Sequence, residues 1–73
     1  MAKKVDIYWP RADIIESDGN TAELKVDEGY TKLLFAIRKV REWQEEYGKR
    51  LREPRIEVRG EKGRLKYPIQ ITN

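Results

Sequence analysis

The sequence predicts one small α+β domain in which a single helix covers one face of a four- or five-stranded, largely antiparallel sheet. Two short segments of alternating apolar and polar residues precede one long helical pattern, and two more follow it. The 73 residues allow only one domain, since a typical domain contains about 100–150 residues. The predicted order of elements is strand, strand, helix, strand, strand (ββαββ), over residues 1–73.

The first strand is predicted from a short alternating pattern. Val5, Ile7 and Trp9 alternate with polar residues, which is typical of a strand with one buried face. We expect Val5 and Ile7 to belong to the core, and the alternation places Trp9 on the same face. Tyr8 would then project from the opposite face of the sheet.

Proline and glycine mark the end of this strand and the first turn. Pro10 cannot donate a ladder hydrogen bond, so residues 3–17 form either one long bent strand or two short ones. Asp18-Gly19 lies between two strand-like segments, and this dipeptide favours a tight hairpin turn. The second strand follows over residues 21–26.

The helix is predicted from apolar residues that recur at spacings of three and four, from about residue 28 to between residues 47 and 52. Asp27 or Thr31 is the candidate N-cap. Oppositely charged residues spaced four apart occupy the other side of the helix. Phe35 lies almost opposite the apolar stripe, so we expect it to be exposed, where it could contact a protein partner.

A second hairpin completes the domain, with a turn through Gly60–Gly63. Pro68 falls on the outward phase of the last strand, which indicates an edge strand or a bulge. One helix over one sheet is most simply closed in a β-grasp-like arrangement, an architectural analogy that implies no function. The predicted core contains Val5, Ile7, Leu24, Leu33, Ile37, Val40, Ile56, Val58, Leu65 and Ile69.

The composition excludes much of catalytic chemistry. The chain has no cysteine and no histidine, so thiol nucleophiles, thiolate zinc sites and imidazole bases are absent. We therefore expect no enzyme activity, no catalytic residues, no metal and no cofactor. The longest apolar run, residues 33–37, is far shorter than the roughly 20 residues of a membrane span. We expect no membrane association and no signal peptide, and a cytoplasmic location if the protein is natural.

The charge distribution suggests a nucleic-acid contact. The net charge is +3, and residues 49–66 contain eight basic side chains and three acidic ones. A basic sheet face with an aromatic ring can hold phosphates and stack a base. If the second hairpin packs under the helix, the candidate nucleic-acid-binding residues on the outer face are Arg55, Arg59, Arg64, Lys66 and Tyr8.

Three functional hypotheses follow, and the leading one is a compact, thermostable scaffold without biochemical activity. The only methionine is the first residue, and turn residues, helix charges and hydrophobic pattern agree with one another, as in a de novo designed or engineered sequence. The alternative is a small nucleic-acid-binding domain that uses the basic hairpin face. The second alternative is a protein-interaction module or homodimer that uses Phe35 and a sheet edge. The chain is then either a monomer or a homodimer.

Overall fold

The computed structural model describes residues 5–72 and shows the predicted ββαββ order. The four strands form one sheet in the order β2-β1-β3-β4, and every neighbouring pair is antiparallel. Lys3 and Lys4, at the start of the predicted first strand, lie outside the described residues. The elements are β1 (Ile7–Ile15), β2 (Thr21–Lys25), α1 (Leu33–Tyr47), a 3₁₀ turn (Gly48–Arg50), β3 (Leu51–Arg59) and β4 (Leu65–Gln70).

β1 is one continuous strand that passes through Pro10. The N–H of Tyr8 donates to the Tyr30 carbonyl at 2.8 Å, and the Tyr30 N–H donates back at 2.9 Å. Backbone groups alternate in direction along an antiparallel strand, so the nitrogen of Pro10 points to this same side, away from β3. β2 ends on that side at Lys25, opposite Arg11. Pro10 therefore removes no hydrogen bond from the ladder between β1 and β3.

The face of β1 that packs under the helix is opposite to the predicted one. The helix-facing side chains are Tyr8, Pro10, Ala12 and Ile14, of which the last three are buried. Val5, Ile7 and Trp9 have the other phase, and Ile7 and Trp9 lie on the face away from α1. The predicted orientation of the first strand was therefore wrong. Ala12 is small enough to let α1 approach β1 closely. The face that carries Tyr8, Pro10, Ala12 and Ile14 therefore lies under the helix along the length of the strand.

α1 begins at Leu33, later than predicted, and no side chain caps its N-terminus. Lys32 occupies the N-cap position, so neither Asp27 nor Thr31 has the predicted capping role. The chain before the helix instead runs beside β1, where Tyr30 pairs with Tyr8. Within residues 5–72, no helix has the length and apolarity needed to cross a membrane.

The core lies between α1 and the central strands. The prediction was correct for Val40, Ile56 and Val58, which are buried, and Leu24, Leu33, Ile37 and Ile69 are partly buried against the core. It was wrong for Val5 and Leu65, which are exposed, and for Ile7, which faces away from the helix. Ala36 and Leu51, which belong to the predicted apolar face of the helix, are also buried. The buried residues that the prediction missed are Pro10, Ala12, Ile14, Trp43 and Pro54. Ala12 and Ala36 are fully buried, and their small side chains let the helix approach the sheet closely.

The first hairpin forms at the predicted place with a longer loop. The Gly19 N–H donates to the Glu16 carbonyl, and the Glu16 N–H donates to the Asn20 carbonyl. Only Gly19 of this loop has a positive φ, of 87°. This geometry is a type I turn followed by a left-handed residue.

Two bulges interrupt the second half of the sheet. In β3, Glu53 and Pro54 together face Ala12 of β1, and Glu53 has a φ of 50°. In β4, Lys66 is the extra residue between two regular pairs. The prediction of an edge strand or a bulge near Pro68 is confirmed, because β4 lies at the edge of the sheet and contains a bulge at Lys66.

Candidate interaction surface

The sheet face opposite α1 carries a network of ion pairs. Arg11 of β1 lies directly opposite Arg55 of β3, a juxtaposition of like charges that is unfavourable by itself. Carboxylates from three strands surround the two guanidinium groups. We call this set the charged network, and its members are Arg11, Asp13, Glu23, Arg55, Glu57 and Arg59.

Glu57 is the central acid of the charged network. Its Oε1 lies 2.8 Å from the Arg59 Nη2 and 3.1 Å from the Arg11 Nε. Glu23 lies 3.7 Å from Arg11 and 3.9 Å from Arg55. Three basic and three acidic side chains make the network electrically neutral.

The structure separates the predicted nucleic-acid-binding residues. Arg55 and Arg59 belong to the charged network, and Arg59 also donates to the Gly63 carbonyl at 2.8 Å. Tyr8, predicted on their face, lies on the helix side of the sheet against the core. Arg64 is exposed and has no ion pair within residues 5–72. The five residues therefore do not form one basic face.

Lys66, the fifth predicted residue, pairs with the other end of the chain. Its Nζ lies 2.6 Å from Oδ1 of Asp6. This hydrogen bond, together with the carboxylate charge, raises the pKa of Lys66 above its ordinary value of 10.5. The ion pair connects the bulge of β4 to the segment before β1.

The molecule is elongated, with extents of 51 × 20 × 19 Å. One row of side chains crosses the sheet near the start of the helix, at Tyr30, Tyr8, Val58 and Tyr67. α1 starts three residues after Tyr30, and the turn between β3 and β4 lies beyond this row. We call this part of the molecule the distal end; it comprises residues 5–9, 29–35 and 57–68.

Every large apolar side chain found exposed within residues 5–72 lies at the distal end. These side chains are Val5 (43% exposed), Leu34 (57%), Phe35 (45%), Leu65 (46%) and Tyr67 (51%). Phe35 was predicted to be exposed, and this is confirmed. Leu34 and Tyr67 were not recognised, and the helical wheel could have found Leu34, which lies well away from the buried stripe.

At the edge of the sheet, the backbone of Gly29 lies over two side chains of the distal end, Ile7 and Trp9. A Cβ atom at position 29 would lie 2.3 Å from Ile7 Cγ2 and 2.7 Å from Trp9 Cε2. The backbone at Gly29 therefore packs directly against these two side chains, which are half-buried. Glycine is required here by close packing and not by a left-handed φ, since none is found at this position.

Phe35 presents its ring at the first turn of α1. The Arg38 guanidinium lies 5.6 Å from the centre of the ring, within the range of a cation–π contact. The first turn contains no acidic residue. Aromatic and arginine side chains are both enriched in protein interfaces.

The free edge of β4 is poorly suited to bind another strand. The Ile71 N–H donates to the Pro54 carbonyl at 3.0 Å. Because hydrogen-bonded pairs alternate along an antiparallel ladder, the nitrogen of Pro68 points away from β3, to the free edge. Pro68 offers no donor there, and the bulge at Lys66 distorts the rest of the edge.

Comparison with known proteins does not add to this geometry. No protein-family model matches the chain, and no curated protein and no solved structure is significantly similar to it. Within residues 5–72 no three side chains of the metal-binding types are grouped as a metal site would require.

Proposed function

We propose that this chain is a non-catalytic protein-interaction module and that the distal end is its contact surface. The observation that carries the proposal is the position of the five exposed apolar side chains, which all lie at one end. Scattered exposed apolar residues are normal, but a concentration of them is typical of a binding site. Phe35 and Tyr67 are the aromatic anchors of this surface.

An inert, idealised scaffold agrees less well with the geometry. α1 has no N-terminal side-chain cap, and Glu53 has a positive φ. Idealised sequences avoid such irregularities, as well as exposed leucine and phenylalanine. The exposed apolar side chains favour a surface that serves a partner.

A selection experiment tests the proposal without a known partner. A phage-displayed library of random 16-residue peptides is selected on the full chain, and the enriched peptides are measured by fluorescence anisotropy. We expect affinity to fall at least tenfold for a Phe35→Ser, Tyr67→Ser double variant, since aromatic anchors carry much of an interface's binding energy. An Ile15→Ser variant, altered at the other end of β1, is the matched control and should bind normally.

Analytical ultracentrifugation completes the test, because the partner could be a second copy. The 8.7 kDa chain is examined at increasing concentration, with and without the two serine substitutions. A dimer that the double variant abolishes would support the proposal. If no peptide is enriched and the mass stays monomeric, or if enriched peptides bind the double variant equally well, the proposal is wrong.

Nucleic-acid binding is the second candidate; of the predicted residues it retains Arg64 and Lys66, and it adds Lys62. Lys62 and Arg64, at the turn between β3 and β4, are exposed and form no ion pair within residues 5–72. They line one open depression together with Val5 and Lys66. Binding to oligonucleotides that weakens steeply with salt, and that Lys62→Glu and Arg64→Glu abolish, would favour this function.

A further inference from the structure

We infer that the distal end binds an acidic amphipathic helix of a partner protein; this inference rests on the proposed function. The distal end carries five basic and three acidic side chains, a net charge of +2. Two of the basic groups are neutralised locally, Arg59 by Glu57 and Lys66 by Asp6. The remaining charges beside the apolar residues are Lys32, Lys62, Arg64 and Glu61.

The charges that remain indicate the sign of the partner. Lys62 and Arg64 flank the turn next to Leu65, and Lys32 directly precedes the first turn of α1 with its exposed apolar residues. These cations form no ion pair within residues 5–72, so they are available to a partner's Asp and Glu side chains, and Arg64 can bind a carboxylate through two hydrogen bonds. Charge complementarity therefore favours an acidic partner.

The state of the β4 edge indicates the conformation of the partner. An added strand needs a row of free backbone donors and acceptors, which Pro68 and the bulge at Lys66 interrupt. A helix satisfies its own backbone hydrogen bonds and binds through side chains alone. A helix of 16 residues is about 24 Å long, enough to cross the width of the molecule, whose short extents are 20 and 19 Å.

Other occupants fit the surface less well. A second copy docked end to end would bring two ends of charge +2 together, which is unfavourable at short range. A nucleic acid would use the cations and the aromatic rings, but exposed Val5, Leu34 and Leu65 have no counterpart in a phosphate backbone. A partner helix that carries both apolar side chains and carboxylates matches both features of the distal end, the exposed apolar residues and the available positive charges.

The peptides enriched in the selection described above test the inference directly. We expect an excess of Asp and Glu, with Leu, Ile, Phe or Trp at helical spacing. Binding of one such peptide should weaken at least fivefold when its Glu residues become Gln, and at least tenfold when a central residue of its polar face becomes Pro. Lys62→Glu with Arg64→Glu should weaken binding at least fivefold, and more at low salt than at high salt.

A matched charge control separates local contacts from the net charge. Lys25→Glu with Lys49→Glu makes the same change in net charge on exposed residues outside the distal end, and it should change affinity less than twofold. All variants are compared by circular dichroism melting, so that loss of folding is recognised. If both double variants weaken binding equally, the inference is wrong.

The outcomes also separate this inference from the proposed function. Enriched peptides that are neutral or basic, or that tolerate the Pro substitution, would overturn the acidic helix while leaving a protein-interaction surface. A dimer lost on Phe35→Ser would do the same. Absence of peptide binding and of dimerisation, with tight oligonucleotide binding, would overturn both.

Discussion

Replacing Gly29 with alanine tests whether the segment before the helix is packed as the structure shows. The added Cβ would lie 2.3 Å from Ile7 Cγ2 and 2.7 Å and 2.9 Å from two ring atoms of Trp9. These distances are far below van der Waals contact, which is about 3.5–4.0 Å between carbon atoms. A β-branched methyl group and an indole ring both have little freedom to move aside.

The expected magnitude is the difference of two effects. Removing a glycine with an ordinary φ stabilises a protein by about 0.4–1 kcal/mol through the unfolded state. Overpacking costs about 1–3 kcal/mol. We therefore expect Gly29→Ala to lower the free energy of unfolding by about 0.5–2 kcal/mol, equivalent to a Tm lower by several degrees for a domain of this size.

Gly60 supplies the matched control. It also lacks a positive φ, and its added Cβ would meet only Lys66 Cε, at 3.6 Å. Gly60→Ala should therefore stabilise the chain by about 0.4–1 kcal/mol. Both variants are measured by urea denaturation, where equal slopes permit comparison of the midpoints.

A mutant cycle identifies the cause. In an Ile7→Ala, Trp9→Ala background, most of the penalty of Gly29→Ala should disappear, because both side chains that the added Cβ would meet are gone. If Gly29→Ala instead stabilises the chain as much as Gly60→Ala does, Gly29 does not pack on β1. The inferred path of residues 26–30 would then be wrong.

Three further predictions concern charges and strain. Glu57→Gln should destabilise the fold by about 1–2.5 kcal/mol in urea denaturation, a value between those for exposed and buried ion pairs. The reason is that the Glu57 side chain, only 15% exposed, separates two arginines. The control Glu61→Gln should lower the free energy of unfolding by less than about 0.5 kcal/mol. Glu53→Gly should raise the free energy of unfolding by up to about 1 kcal/mol, since relief of the left-handed φ exceeds the entropy that glycine loses; a clear decrease would contradict the strained bulge. The raised pKa of Lys66 makes its pairing with Asp6 stabilising below the ordinary pKa, and this contribution is lost as pH rises through the raised value. The stability difference between wild type and Lys66→Met should therefore shrink above about pH 10.5, and a constant difference would contradict the pairing.

The element order could be predicted from the sequence because local signals determine it. Alternation, helical spacing and glycine-containing turns each depend on a few neighbouring residues. The order of strands in the sheet depends on contacts between distant segments, such as the pairing of β1 with β3. Local patterns carry no information about that choice.

The phase of β1 shows why the candidate site could not be predicted in full. Val5, Ile7 and Trp9 form a convincing apolar alternation, yet the opposite phase faces the helix. The decisive residues were Pro10 and Ala12, which are weak hydrophobic signals. Their burial depends on the position of the helix, a tertiary property. The placement of Tyr8 on the helix side of the sheet follows from that phase.

The sheet face opposite α1 changes in character along its length, from charged side chains in the middle to apolar side chains at the distal end. This difference indicates where a partner would bind. Near the middle, the charged network makes the face polar and neutral without any partner. Toward the distal end, Ile7 and Trp9 are only partly covered by Gly29, and Val5 and Leu65 are left exposed. If solubility were the only requirement, charged side chains could cover the distal end as they cover the middle of the sheet. Exposed apolar residues at one end therefore favour a surface that is completed by another molecule.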